Sequence, residues 1–284
     1  ILYINKGLNP DGIPEFEDQA KAYGIDDTTH STMAYFFDYD RDHDLDLYIG
    51  VNHILDHDYP NVFSPRSIDG THPSCGRLYR NDFNDSLKHP FYTNVSIEAG
   101  IIHEGYTHAV NICDVNNDGW PDIMEANDYI SNNVLFINNG DGTFTNKITD
   151  YFKHTALNAM GSDMIDLNND GYDDVVEVDM APQDNFRKKM FGPPVNYTGY
   201  INSQMFQYQM QYIRNMVQAN MGPTVGEQDS IGHPIFGDIG FFSGIAETDW
   251  SWTPLVADYD NDGLRDIIFT NGFRKDITDH DFAT

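Results

Sequence analysis

The chain has 284 residues and a formal net charge of −29 at pH 7. Its acidic residues are 37 Asp and only 8 Glu, a bias that suits turns and metal-binding loops more than helices. The negative charge disfavours nucleic acids and anionic membranes as direct partners, no apolar run is long enough for membrane insertion, and 40% hydrophobic residues exclude a disordered chain.

The first predicted element covers residues 1–52 and ends in a β-hairpin around an acidic loop. The runs "MAYFF" and "LDLYIGV" flank this loop and are typical of β-strands. Position 6 of the loop is His43, where the sharp turn requires a left-handed backbone, so we expect this loop to be the least regular. The acidic residues of the loop are Asp38, Asp40, Asp42 and Asp46 at positions 1, 3, 5 and 9, with Asp44 at position 7.

An insertion at residues 53–77 follows and is rich in His and Asp. Its residues His53, Asp56, His57, Asp58 and His72 could form a second metal site that contains nitrogen ligands. A solvated loop is the preferred interpretation, because no regular helix places His53 and His57 on one face.

Two more acidic loops lie in the predicted elements 78–128 and 133–181. Both carry Glu at position 12, Glu125 and Glu177, and so match the EF-hand pattern. Their flanks read as strands instead of amphipathic helices, and Pro121 lies inside the first of them, so we prefer calcium-clamped hairpins. Their residues at positions 1, 3, 5 and 9 are Asp114, Asn116, Asp118 and Asp122 in one loop and Asp166, Asn168, Asp170 and Asp174 in the other.

A second insertion, residues 182–212, contains Pro193 and Pro194 and then a predicted helix. Apolar and aromatic residues follow helical spacing there, and we expect them to pack on the sheets instead of binding sugars. They are Ile201, Met205, Tyr208 and Tyr212.

In the last predicted element, 213–272, Trp250 and Trp252 alternate in a strand, so one of them should pack between sheets.

The last element ends in a fourth loop, "DYDNDGLRD", with Gly263 at position 6. Three or four carboxylates, one backbone carbonyl and water suit calcium, which takes six to eight oxygen ligands, and up to four ions are predicted. The acidic residues of this loop are Asp258, Asp260, Asp262 and Asp266. The carbonyl ligands predicted at position 7 belong to Asp44, Trp120, Tyr172 and Leu264.

The loops belong to a longer repeat. Gly24, Gly100 and Gly244 each stand 14 residues before the first Asp of a loop, and each is followed by Ile. The repeat reads strand, turn, strand, Gly-Ile, strand, acidic loop, strand, which is the composition of a four-stranded β-propeller blade. The prediction is an all-β protein, one propeller segment over 1–284 with four blades at about 1–52, 78–128, 133–181 and 213–272.

The motifs "LYxN", "NGDGTF" and "DIIFTNG" beside the acidic loops resemble the FG-GAP/VCBS repeats of integrin α-subunit propellers. The segment from "TDWSW" to "TDHDF" resembles, more narrowly, exported VCBS-repeat proteins of Bacteroidota that carry an ASPIC/UnbV domain, which is not visible here. The resemblance implies export to the cell surface, outer membrane or periplasm, and a ring of seven or eight blades. We therefore expect an open arc, with no spare strand at either end.

The resemblance implies a non-catalytic calcium-binding module for a glycan or an outer-membrane protein partner, near nutrient uptake. The alternative is a calcium-dependent polysaccharide lyase or another carbohydrate-active enzyme. No catalytic residue is assigned, because the chain contains no nucleophile, zinc or phosphate-loop motif. Ser86 and Ser230, each after Asp and before an apolar residue, resemble O-glycosylation signals of exported Bacteroidota proteins.

Overall fold

The computed structural model describes residues 1–54, 62–191, 197–225 and 231–272. Within these ranges the protein is mostly β-structure with four short helices. The strands are β1 (Tyr3–Leu8), β2 (Pro14–Asp18), β3 (Ser31–Phe37), β4 (Asp46–Val51), β5 (Arg77–Asn84), β6 (His89–Asn94), β7 (Thr107–Cys113), β8 (Asp122–Asn127), β9 (Val134–Asn138), β10 (Phe144–Asn146), β11 (Thr155–Ala156), β12 (Gly161–Ile165), β13 (Asp174–Val178), β14 (Met180–Ala181), β15 (Gln211–Tyr212), β16 (Met216–Val225), β17 (Ile231–Asp238), β18 (Asp249–Ala257) and β19 (Asp266–Asn271). The helices are α1 (Ala20–Tyr23), α2 (Ile148–Tyr151), α3 (Asn185–Phe191) and α4 (Tyr197–Met205).

Three four-stranded antiparallel sheets form the centre of the molecule. Sheet 1 has the order β3-β4-β5-β6, sheet 2 the order β7-β8-β9-β10, and sheet 3 the order β12-β13-β16-β17. In sheet 4, β18 pairs with β19 on one side and with the short β14 on the other. The predicted all-β class is confirmed.

The sheets divide the chain at other points than the predicted blade ranges. Each of the first three acidic-loop hairpins opens a sheet instead of closing one, because the strand after the loop pairs with a strand further along the chain. In sheet 1, Tyr48 of β4 lies opposite Leu78 of β5, across the insertion 53–77. The length of the repeat was recognised in the sequence, but the strand with which each sheet begins was not.

The hairpin β1–β2 forms a two-stranded sheet of its own, so a spare pair of strands does exist, contrary to the expectation. It corresponds to the third and fourth strands of a complete sheet. The Leu2 N–H donates to Asp18 Oδ1, at the end of β2, over 3.0 Å. In sheet 3 the Val217 N–H makes the equivalent bond to Asp238 Oδ1 at the end of β17.

Successive sheets pack on one another through their first strands, β3 on β7, β7 on β12 and β12 on β18. Between sheets 1 and 2 the core contains buried Tyr48, Leu78 and Phe136. Between sheets 2 and 3 it contains Met124 and Val175. The large apolar side chains of the second and third strands thus hold the sheets together.

The recurring Gly-Ile pairs end the turn that follows a fourth strand. Gly24, Gly100 and Gly244 all have φ between 76° and 82°, a conformation that favours glycine. The next residue then donates its N–H back over the turn, as Ile101 does to the Ser96 carbonyl oxygen over 2.8 Å. This geometry explains why the pair precedes each next sheet.

The insertion 182–212 differs from the prediction. Helix α4 ends at Met205, and both Ile201 and Met205 are exposed, so the helix does not pack as expected. Tyr208 lies beyond the helix, after Gln207 at φ 60°, and is buried against Phe63. Pro193 and Pro194 lie outside the described residues.

Trp250 and Trp252 do lie in one strand, β18, and their rings stack with centroids 6.4 Å apart. Both side chains are half-buried. In the described part of the chain, every helix is too short or too polar to cross a membrane.

Candidate metal centres

Each acidic loop joins the first and second strands of one sheet, and all four therefore lie at the same end of their hairpins. Strands flank every loop, because β3 and β4, β7 and β8, β12 and β13, and β18 and β19 meet there. An EF-hand, which needs a helix on each side, is excluded by this arrangement.

The first Asp of each loop holds the turn together. In the second loop, Asp114 Oδ1 accepts from the Asp118 N–H over 3.0 Å and Oδ2 accepts from the Gly119 N–H over 2.7 Å. The same two bonds recur at Asp38, Asp166 and Asp258. The carboxylate at position 9 closes the loop, since Asp122 Oδ2 accepts from the Val115 N–H over 3.0 Å.

Two positions of each loop have a left-handed backbone. At position 6, His43 has φ 77°, so the strain expected for a non-glycine residue is present; the three glycines there have φ between 88° and 90°. Position 4 is also left-handed, and it is Asn in three loops, a residue that tolerates this conformation. The position 4 residues are Arg41, Asn117, Asn169 and Asn261. Sequence reasoning missed this signal.

The side chains at position 4 also connect neighbouring loops. Asn117 Nδ2 donates to the Gly171 carbonyl oxygen over 3.1 Å, and Asn169 Nδ2 donates to that of Gly263 over 3.0 Å. In the first loop, the guanidinium of Arg41 lies 5.0 Å from the ring centroid of Trp120. The four loops therefore form one continuous row.

An Asn on the third strand binds each of the first three loops to its sheet. The Asn138 N–H donates to Asp122 Oδ1 over 2.8 Å, and its Nδ2 donates to the Tyr39 carbonyl oxygen of the previous loop over 2.8 Å. Asn81 and Asn220 likewise donate their N–H groups to Asp46 and Asp174. Asn81 is the Asn of the "LYxN" motif, whose role the sequence did not reveal.

The first and fourth loops bring carboxylate oxygens close together. Carboxylate oxygens of Asp38, Asp40 and Asp46 lie within 4.8 Å of one another, as do those of Asp258, Asp260 and Asp262. The buried oxygens Asp40 Oδ1 and Asp44 Oδ1 have no hydrogen-bond partner among the described residues. Such oxygens are costly unless a cation binds them, and an all-oxygen set suits calcium better than a transition metal.

Burial and mutual repulsion make these carboxylates difficult to ionise without a cation. Burial raises the pKa of Asp46 and of Asp122 to about 7. Burial and the neighbouring Asp42 raise the pKa of Asp44 to about 6. At positions 3 and 5 of the middle loops, Asn116 is half-buried, and the other predicted ligand residues are exposed; they are Asp118, Asn168 and Asp170.

Glu125 and Glu177, at position 12, are completely buried between sheets and do not reach the loops. Tyr48 donates its hydroxyl to Glu125 Oε1 over 2.8 Å, and Asn133 Nδ2 donates to Glu177 Oε2 over 2.8 Å. Burial raises the pKa of each carboxyl to about 7. Their role is in the core instead of in metal binding.

Glu125→Gln should change the pH dependence of stability. Because the folded-state pKa of about 7 lies above the usual value of 4.5, the folded state binds the proton more readily. The contribution of Glu125 to the free energy of unfolding therefore rises as pH falls from about 7 to about 4.5, and is lost above pH 7. The difference between wild type and variant should change by roughly 2 to 3 kcal/mol between pH 8 and pH 5 in urea unfolding. Glu98→Gln, at an exposed site, is the control; an equal change there would contradict the assignment.

The opposite end of the hairpins carries aromatic and imidazole groups, which we call the distal face and define as Tyr106, His108, Asp128, Tyr129 and His72. The rings of Tyr106 and Tyr129 make an edge contact at 5.6 Å, and His108 Nε2 lies 3.5 Å from Asp128 Oδ2. The ring of His72 contacts Tyr106 at 6.5 Å. Tyr129 has φ 56°, a strained value for an aromatic residue.

A second metal site in the insertion 53–77 was the less favoured alternative to a solvated loop, and two of its residues make other contacts. His53 stacks on His30 with centroids 4.3 Å apart, and His72 Nδ1 accepts a bond from the Ser74 N–H over 3.1 Å. Asp56, His57 and Asp58 lie outside the described residues.

Of the two O-glycosylation candidates, Ser86 lies in the exposed turn between β5 and β6, and its N–H donates to Asn84 Oδ1. Ser230 lies outside the described residues.

Comparison with known families identifies one region of the chain. The profile of the FG-GAP-like repeat matches residues 114–177, which contain the second and third acidic loops. A comparison with curated proteins finds no match. The match confirms the resemblance drawn from the acidic loops and "NGDGTF": the chain contains an FG-GAP-like repeat.

Proposed function

We propose that this protein is a calcium-binding β-propeller segment that acts as a binding module for a glycan or a protein at the cell surface. The observation that carries the proposal is the row of four acidic loops with one hydrogen-bond pattern. In the first loop, two buried carboxylate oxygens also have no partner among the described residues. Propeller geometry is supported by successive four-stranded sheets that pack through their first strands.

The calcium proposal implies that the protein is exported. Extracellular calcium sites typically have dissociation constants of about 10⁻⁴ to 10⁻³ M, and cytosolic calcium is too scarce to fill them. With four ions bound, the formal charge of −29 becomes −29 + 8 = −21. The cell surface, outer membrane or periplasm, as in the Bacteroidota proteins that the sequence resembles, is therefore the proposed compartment.

The distal face is the proposed ligand surface. Calcium would stabilise the opposite end of the hairpins, leaving Tyr106 and Tyr129 on a firm scaffold. Aromatic rings beside an imidazole and a carboxylate can stack on a sugar ring and hydrogen-bond its hydroxyl groups. The strained backbone of Tyr129 is consistent with a residue held in place for contact.

A glycan array in the presence of calcium tests this proposal. We expect binding by the wild type, a loss of at least tenfold in Tyr129→Ala, and no change in Phe83→Ala, whose exposed ring lies away from the distal face. If the array shows no binding, a pull-down of outer-membrane proteins with the same variants tests the protein partner. Equal binding by Tyr129→Ala and Phe83→Ala would contradict the proposal that the distal face binds the ligand.

A carbohydrate-active enzyme is the second candidate, and one cluster bears on it. His154 Nε2 lies 2.9 Å from Asp238 Oδ2, and Arg214 Nη2 lies 2.5 Å from the same oxygen. Asp238 Oδ1 also accepts from the Gly240 N–H, which is the role of a turn residue. Release of unsaturated sugars from acidic polysaccharides by the wild type, abolished in His154→Ala, would favour the lyase over the binding module.

A further inference from the structure

The two insertions, 53–77 and 182–212, contact each other through Tyr208. Its ring makes an edge contact with that of Phe63, with centroids 5.1 Å apart, and its hydroxyl donates to the Ser64 carbonyl oxygen over 3.0 Å. Arg66 adds two contacts: its guanidinium lies 5.9 Å from the Tyr208 ring centroid, and its Nη1 donates to the Gln207 carbonyl oxygen over 3.5 Å. We call these five residues the clasp. The bond from Tyr208 to Ser64 spans 144 residues of sequence.

The clasp belongs to the same end of the hairpins as the distal face. Both insertions begin after a second strand, β4 or β13, and therefore opposite the acidic loops. Tyr208 is only 7% exposed, so its side chain is packed and not a surface residue in chance contact. The clasp is thus placed to act on the proposed ligand surface.

The first insertion holds the segment that carries Tyr106. The Glu104 N–H donates to the Ser67 carbonyl oxygen over 3.1 Å, and the Ser67 N–H donates in return to the Glu104 carboxylate. The Gly105 N–H donates to the Ser74 carbonyl oxygen over 3.3 Å. The position of Tyr106 therefore depends on where the first insertion lies.

The chain directly after the clasp holds the turn that carries Tyr129. The Gln209 N–H donates to Asn132 Oδ1 over 3.1 Å, and Gln211 Nε2 donates to the Ser131 carbonyl oxygen over 2.9 Å. Asn132 and Ser131 are both buried, so these bonds are shielded from water. The position of Tyr129 therefore depends on the second insertion.

These contacts form a closed circuit. The rings of Tyr106 and Tyr129 contact each other, each insertion holds one of the two segments, and the clasp joins the insertions. The described residues 62–76 of the first insertion contain no helix or strand, so no backbone ladder fixes their shape. Segments of this kind open at a small cost in free energy. Loss of the clasp would leave each tyrosine tied to a segment that moves independently of the other.

We propose that the clasp is a latch that controls the distal face. When closed, it holds Tyr106 edge to edge with Tyr129; when open, it releases the two rings from each other. Tyr208 is its positioning residue, because it makes a ring, a hydroxyl and a cation contact with the first insertion. The effect of the latch on ligand binding rests on the proposed function, whereas its effect on the two tyrosines does not.

Amide hydrogen exchange of Tyr208→Ala in calcium-containing buffer tests the latch without any ligand. We expect the amides of residues 66–75 and 102–106, on the other side of the clasp, to exchange roughly tenfold faster than in the wild type. The amides of β8 are the internal reference and should not change. Faster exchange confined to residues 206–212 would show that Tyr208 stabilises only its own segment, and would overturn the proposal.

Two further variants separate the latch from a general loss of packing. Tyr208→Phe keeps the ring contacts with Phe63 and Arg66 and loses only the bond to Ser64, so it should restore most of the protection. Tyr200→Ala, in α4 of the same insertion and 43% exposed, lies outside the clasp and should leave exchange unchanged. Equal exchange in Tyr208→Ala and Tyr200→Ala would contradict the role of the clasp.

Fluorine NMR reports on the two rings themselves. In protein labelled with 3-fluorotyrosine, the lines of Tyr106 and Tyr129 are assigned by their loss in Tyr106→Phe and Tyr129→Phe. Both lines should shift or broaden in Tyr208→Ala, because the edge contact of the two rings is lost, and stay in place in Tyr200→Ala. Unchanged lines in Tyr208→Ala would overturn the proposal.

Binding to the glycan array is a separate readout, of the proposed function. A glycan captured by the wild type should bind Tyr208→Ala roughly tenfold more weakly. Equal affinity in the two proteins would overturn control of the distal face by the latch. If the wild type captures no glycan, the glycan proposal fails, whereas the exchange and NMR results still decide whether the clasp holds the two tyrosines.

Discussion

Removal of calcium with EDTA is expected to lower the thermal unfolding midpoint of this protein by about 10 to 20 °C. Four sites, each filled at about ten times its dissociation constant, contribute roughly 1.4 kcal/mol apiece, or about 5 to 6 kcal/mol together. The loss is comparable to the whole stability of a domain, about 5 to 15 kcal/mol. Without cations, the carboxylates that lie within 4.8 Å of one another repel.

The measurement is a calorimetric scan before and after chelation. Added Ca²⁺ should restore the midpoint, whereas the same concentration of Mg²⁺ should restore it much less, because magnesium retains its water and demands a stricter geometry. An identical melting curve in EDTA would show that the loops are acidic turns held by their backbone hydrogen bonds alone.

Asp122→Ala should destabilise the protein by about 4 to 5 kcal/mol in calcium, and Asp118→Ala by only about 1.4 kcal/mol. Both substitutions remove a predicted ligand from the same loop. Asp122 is also completely buried and accepts hydrogen bonds from the N–H groups of Val115 and Asn138. Removing the carboxylate leaves two buried donors without acceptors, at about 1 to 3 kcal/mol each.

Urea unfolding of the two variants checks this difference. Calcium loss at the second loop is common to both variants, and the bond that Asp118 accepts from the Trp120 N–H is exposed, so the difference in unfolding free energy reports mainly the buried hydrogen bonds of Asp122. Equal destabilisation would mean that the third strand is not anchored through Asp122, and the corresponding argument for Asn81 and Asn220 would lose its basis.

Much of the candidate site could be predicted because its signal is local. Asp at fixed positions, with glycine where the backbone must be left-handed, encodes a turn within nine residues, and the structure places strands on both sides of every loop. The irregular His43 was also predicted from its position alone. Metal occupancy of these loops remains a prediction.

The division of the repeat into sheets could not be predicted, because the deciding contacts are not local. Tyr48 pairs with Leu78 across an insertion of 25 residues, 53–77, and neither segment contains a sequence signal that specifies the other as its pairing partner. The same holds for Asn138, whose partner Tyr39 is 99 residues away. The predicted packing of the helix in the second insertion was wrong for another reason. Helical spacing continues in the sequence beyond Met205, but the helix ends there and the chain turns at Gln207.

The most direct test of the calcium proposal is the metal content of the purified chain. At equilibrium dialysis against millimolar calcium, the calcium on the protein side in excess of that in the outer buffer should come to close to four ions per chain, with little zinc or magnesium bound. The double variant Asp258→Ala/Asp262→Ala should lose one ion. Fewer than two calcium ions per wild-type chain would contradict the proposal that the acidic loops are metal centres.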